Sequence, residues 1–179
     1  VEISGQVVDK IGEPVSGAVV KQGRDRWGSD YPSVRTDENG QFVFKNALPG
    51  GVILTVQRGG YAPEMLKTTA AAGLAPVRIE LGDPHTMSAR VVDVNGAPIE
   101  DAGVAADSWR GCRSIRFRRN TDRQGRFEWQ NAPADAVEFH IYKQGYMSIR
   151  DLRLEADEEK LVTMHRPLRI LCRLTDAES

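Results

Sequence analysis

The sequence predicts an all-β fold: two tandem seven-stranded antiparallel Greek-key sandwiches, followed by the first strand of a truncated third repeat. Three observations predict it. Residues 1–20 (VEISGQVVDKIGEPVSGAVV) return at 86–105 as TMSARVVDVNGAPIEDAGVA, and a shorter echo, RILCRLTDAES, begins at Arg169. Apolar residues alternate with polar ones in short runs, the period of a half-buried strand. Turn signals separate these runs every 8–12 residues or so, a spacing typical of sandwiches. The one helical candidate, Glu64 to Ala72, contains Thr68-Thr69 and is weak. The repeat sets the expected units at 1–84 and 85–167, with 168–179 opening a third. Val1 then falls inside a strand and Ser179 inside a repeat, the pattern expected of a piece of a longer polypeptide.

Each element follows from local chemistry. Val1, Ile3, Gly5 and Val7 share one strand face, with Glu2, Ser4 and Gln6 on the other. Asp9-Lys10-Ile11-Gly12 and Asp93-Val94-Asn95-Gly96 are turns, because Asp can bond its own backbone and Gly accepts positive φ. Pro14 and Pro98 lead the return strands, where no ladder donor is needed. After loops at 24–33 and 106–114 comes a second echo, TDENGQFVF at 36–44 against TDRQGRFEW at 121–129. Asn39-Gly40 and Gln124-Gly125 make tight turns there. Phe42 with Phe44, and Phe127 with Trp129, lie two apart and are expected to pack in the cores. VILTVQRGGY and VEFHIYKQGY each read as an alternating strand closed by Gly-Tyr, with Tyr61 and Tyr146 expected to fold back as tyrosine corners. A final strand, 77–81 or 161–164, closes each unit.

These residues carry a family resemblance. The pattern V-x-D-x-x-G-x-P-[VI]-x-x-A, then T-D-x-x-G-x-F, then G-Y resembles the carboxypeptidase regulatory-like domain family. The first copy meets it with Val7, Asp9, Gly12, Pro14, Val15, Ala18, Thr36, Asp37, Gly40, Phe42, Gly60 and Tyr61. The second meets it with Val91, Asp93, Gly96, Pro98, Ile99, Ala102, Thr121, Asp122, Gly125, Phe127, Gly145 and Tyr146. The second departs at Ala89, for Gly5, and at Asp101, for Gly17. The resemblance implies a transthyretin-like (prealbumin-like) sandwich and an accessory module beside other domains. It implies an extracellular, periplasmic or cell-envelope setting, and it carries over no catalytic residue.

Composition narrows the function. A net charge of −1 argues against nucleic acid or an anionic membrane as a bulk electrostatic partner. No apolar run is long enough for a membrane-spanning helix, so direct membrane insertion is not expected. Cys112 and Cys172 occupy non-equivalent places, and two free thiols are expected over a bridge. His85, His140 and His165 stand in no zinc-ligand spacing, so no metal, no cofactor and no enzyme activity is expected. Asp37-Glu38-Asn39-Gly40 starts like a calcium loop but lacks the downstream acid. No strand pairs a Lys with an Asn for an intramolecular isopeptide bond.

Two clusters remain as ligand candidates. Trp27 and Trp109, near Tyr31 and Arg110, lie in the loop after the second strand of each unit. Exposed, they would stack on sugar rings; buried, they would plug the open end of their own sandwiches, the favoured reading. Arg113, Arg116, Arg118 and Arg119 form a basic patch for an acidic partner, but 13 basic residues meet 13 acidic ones over 85–167. Acids such as those at 155–159 are therefore expected to answer it, leaving a solvated strand face. The function expected is a non-catalytic spacer or docking module of a larger protein; the alternative is a carbohydrate- or polymer-binding module.

Overall fold

A computed structural model describes residues 1–25 and 32–168; Trp27, Tyr31 and Cys172 lie outside the described residues. The first unit comprises β1 (Ile3–Asp9), β2 (Val19–Gln22), β3 (Ser33–Arg35), β4 (Gln41–Phe44), β5 (Gly50–Gln57), β6 (Glu64–Ala70) and β7 (Val77–Leu81). The second comprises β8 (His85–Val92), β9 (Gly103–Trp109), β10 (Arg118–Asn120), β11 (Arg126–Ala132), β12 (Val137–Tyr142), β13 (Ile149–Leu154) and β14 (Glu159–Thr163). Sheets β4-β1-β7 and β3-β2-β5-β6 face each other in the first unit; β11-β8-β14 and β10-β9-β12-β13 do so in the second. The strand order is thus the same in both copies.

One pairing refines the expected antiparallel layout. β7 runs parallel to β1, with Val7 opposite Ile79, and β14 runs parallel to β8, with Val91 opposite Val162. The closing strand crosses from the other sheet and fills the free edge of the first strand, which alternation alone does not specify. The weak helical candidate is β6, held by a seven-pair antiparallel ladder to β5 from Gly50–Ala70 to Val56–Glu64.

The repeated motif residues are turn and core parts. Asp9, Asp37, Asp93 and Asp122 each use Oδ1 to accept backbone N–H groups two and four residues on, at 2.8–3.0 Å. These carboxylates close turns, which explains the truncated calcium-like pattern. Thr36 accepts the Ala18 N–H and donates to Val15 O; Thr121 does the same with Ala102 and Ile99. Gly40 (φ +69) and Gly125 (φ +74) permit a close approach: a Cβ there would sit 2.3 Å from Val7 O or Val91 O. Asp101 keeps the left-handed backbone of its counterpart Gly17, at φ 55 against 70, which Asp tolerates better than most residues.

Phe42 and Phe44 meet edge-on at 6.2 Å in the first core. In the second core Phe127 and Trp129 pack around Phe139, and Phe117 stacks on Trp129 at 4.8 Å. Tyr61 and Tyr146 are half-buried against their cores. Among the described residues neither hydroxyl bonds to backbone, so the tyrosine-corner expectation is not met; the Arg166 guanidinium lies 5.5 Å over the Tyr146 ring instead. Cys112 is a free, buried thiol.

Candidate functional site: the seam between the two sandwiches

In the segment from Trp109 to Phe117, Trp109, Cys112 and Ile115 are buried in the second core, while Arg110, Ser114 and Arg116 meet the outer face of β5 and β6. Its entry is a two-residue hairpin: Trp109 and Cys112 exchange backbone bonds at 2.9 Å, with Arg110 (φ 50) and Gly111 (φ 73) between them. Two central residues at positive φ match the right-handed twist of the flanking chain. Beyond the turn, Arg113 N–H donates to Arg24 O at 2.8 Å, and Asp25 bridges Arg113 in parallel.

β5 explains why the segment settles there. Val52, Leu54 and Val56 fill the first core, so the period of two turns Ile53, Thr55 and Gln57 outward. Thr55 Oγ1 donates to Ser114 Oγ at 2.7 Å, and both residues are 0% exposed. The Gln57 amide clasps the backbone of Arg116, accepting its N–H at 3.0 Å and donating to its carbonyl at 3.3 Å. Ile53 and Met65, both from the first unit, pack into the core of the second. Gly60 N–H donates to Asn131 Oδ1 at 2.8 Å.

Arg110 ties the two units together electrostatically. Its guanidinium bonds Glu64 of the first unit, bonds Asp135 Oδ2 of the second at 2.8 Å, and lies 4.4 Å over the Trp109 ring. Trp109 donates its indole N–H to Asp135 Oδ1 at 2.9 Å. Partial burial works against the Asp135 charge, but bonds from Arg110 and Trp109 outweigh it and hold the carboxyl below its ordinary range. Burial likewise opposes the Arg110 charge, and the bonds to Asp135 and Glu64 raise its pKa.

The expected ligand residues therefore divide. Trp109 is 1% exposed, and Arg110 covers its ring. Of the two readings, exposed for stacking or buried as a plug, the burial of Trp109 matches the second, with Arg110 over the ring at the seam. Arg113 lies 3.6 Å from Asp107, and Arg126 bonds Glu159 at 2.5 Å, so part of the basic patch is answered by acids. Arg118 instead bonds the Tyr142 hydroxyl. Among the described residues no carboxylate bonds to Arg116, Arg118 or Arg119.

The histidines are not gathered into a catalytic site. His85 Nδ1 meets Asp157 Oδ2 at 2.7 Å, while Asp157 Oδ1 accepts the Thr86 N–H, contacts that tie the turn before β14 to the start of β8. Among the described residues no three His, Cys, Asp or Glu side chains lie close enough together to hold a metal ion. No helix among them is long and apolar enough to cross a membrane.

Ile53, Thr55, Gln57 and Met65 were not singled out by sequence reasoning, yet a signal exists. VILTV in the first copy is a continuous apolar run with one Thr, the mark of a strand buried on both faces, whereas VEFHI in the second alternates. The register of the repeat puts Glu138, His140, Tyr142 and Arg150 where these four stand. The difference between the copies, not their likeness, marks the seam.

Comparison with known proteins follows the same lines. Residues 2–82 match the model of the carboxypeptidase regulatory-like domain family. No curated protein sequence matches the chain. Among solved structures, a streptococcal ancillary pilin is similar at 13% identity and TM-score 0.46, over 94% of this chain and 62% of the pilin. The Bacillus anthracis TIE protein is similar at 16% identity and TM-score 0.40, over 92% of this chain and 34% of that one. The shaft pilin SpaA of Lactobacillus rhamnosus GG is similar at 12% identity and TM-score 0.40, over 95% of this chain and 99% of that one. This chain therefore spans less than two thirds of the length of the first two. The first unit is thus similar to carboxypeptidase regulatory-like domains, and the second repeats its strand order, its turns and its buried threonine.

Proposed function

We propose that the chain is a non-catalytic structural module, a pair of sandwiches (1–84 and 85–167) docked into one stiff rod that spaces or presents neighbouring parts of a larger secreted or envelope protein. The observation that carries this reading is the seam, above all the Thr55–Ser114 bond between two fully buried hydroxyls. A joint that opened readily would hydrate both groups, and side chains of one unit would not complete the core of the other, as Ile53 and Met65 do. The motif residues support a scaffold role, since their polar atoms are committed to turns. Neighbouring domains of the same polypeptide, or a protein docked by them, are the partners this reading implies.

NMR relaxation of the 179-residue chain tests it. A stiff pair gives one overall tumbling time for amides of β1–β7 and β8–β14. Two distinct tumbling times would overturn the rod, and hydrolysis of a substrate at a stoichiometric site would overturn the non-catalytic reading.

A further inference from the structure

Arg116, Arg118 and Arg119, to which no carboxylate bonds among the described residues, are near neighbours in the chain. Between 113 and 126 six Arg meet one Asp, in a chain whose net charge is −1. Arg116 and Arg119, with Asn120, Gln130 and an Arg126 already held by Glu159, line a groove of about 580 Å³ along the open side of the second sandwich, between the edges of β10 and β11. Phe117, stacked on Trp129, forms its apolar floor. Glu128 is the one carboxylate in its wall, and Gln130 bonds it at 2.7 Å. The Arg116 backbone is clasped by Gln57, so that side chain springs from a fixed root.

We propose that this groove binds an acidic polysaccharide, with Arg116 and Arg119 pairing carboxylates or sulfates along the chain and the amides of Asn120 and Gln130 meeting sugar hydroxyls. Guanidinium forks suit such anions, and unpaired surface arginines need shed no protein partner to bind them. The alternatives fit less well. Arg119 stands opposite the buried Val104, so it projects from the core-side face of an edge strand. An inward-pointing charge there discourages an acidic peptide from adding as a further strand. A single-stranded nucleic acid needs a succession of aromatic faces for its bases, and the groove offers the half-buried Phe117 alone, since Phe127 and Trp129 are buried. The site lies outside the stiff-pair reading, and either can fail without the other.

The test is calorimetric titration of the whole chain with an oligogalacturonate at low ionic strength, beside a neutral cello-oligosaccharide, polyglutamate and a single-stranded oligonucleotide. The expected result is binding of the oligogalacturonate alone, weakened at least about tenfold by R116A/R119A. Both residues are exposed, so the variant should keep the wild-type melting temperature, which is measured alongside. Arg123→Ala is the control: Arg123 pairs loosely with Glu100 outside the groove and should change affinity less than about twofold. No binding of the oligogalacturonate, equal affinity for R116A/R119A, or equal or tighter binding of polyglutamate, the oligonucleotide or the neutral sugar would overturn the proposal.

Discussion

The contact between Thr55 and Ser114 offers the sharpest measurement of the seam. The two hydroxyls are 59 positions apart in sequence, 2.7 Å apart in space and fully buried. Thr55→Val keeps the side-chain shape but leaves the Ser114 hydroxyl buried without its partner, and Ser114→Ala does the converse. A buried polar group left unsatisfied costs about 1–3 kcal/mol, so each single variant should lose about that much. The double variant removes both polar groups and should lose about 1 kcal/mol or less, since an apolar pair of similar shape is nearly neutral. The cycle therefore predicts a coupling of at least about 1 kcal/mol between sites in different sandwiches. Urea unfolding read by tryptophan fluorescence and by far-ultraviolet circular dichroism supplies all four stabilities, with coincident curves as the condition for a two-state treatment. Additivity within about 0.5 kcal/mol would mean that water already reaches both hydroxyls, and the closed seam would be wrong.

Three further outcomes follow from the same structure. Gly40→Ala should lose well over the roughly 1–2 kcal/mol that a left-handed backbone costs an L residue, because its Cβ would also meet Val7 O at 2.3 Å. Gly60→Ala, at φ +88 with open space around it, should lose only that backbone cost, and thermal melts rank the two. Thr36→Val and Thr121→Val should each lose about 2–4 kcal/mol by orphaning two buried backbone groups, while Thr→Ser at either site restores most of it; denaturant midpoints read this. Asp135 has a lowered pKa when folded, so its stabilisation is full above the unfolded value of about 3.9 and disappears as pH falls through the folded one. The stability gap between wild type and Asp135→Asn should thus be flat from about pH 5 to 8 and close only in stronger acid; a gap that closes near neutrality would refute the assignment.

Much of the fold was legible because it rests on short-range rules. Asp9, Asp37, Asp93 and Asp122 announce their turns by spacing alone, since each carboxylate bonds backbone only two and four residues away. Asp101 in place of Gly17 reads as divergence in the sequence, yet it preserves a left-handed residue, because φ and not residue identity is what the turn requires. The candidate site was less legible. Trp109 looks the same in a string of letters whether its ring faces water or lies beneath Arg110. Arg116 cannot be told from Arg126 until Glu159 is seen beside one and not the other.

Alternation, turn chemistry and the repeat determined by themselves that the chain is two copies of one β-sandwich, with its motif residues spent on scaffold. Which edge β7 and β14 take, which face of β5 is covered, and which arginines lack partners were decided only in three dimensions. The physical reason is range. A turn is a contract between residues a few positions apart, whereas the seam joins Thr55 to Ser114 and Glu64 to Arg110, pairs whose meeting depends on how two finished sandwiches pack.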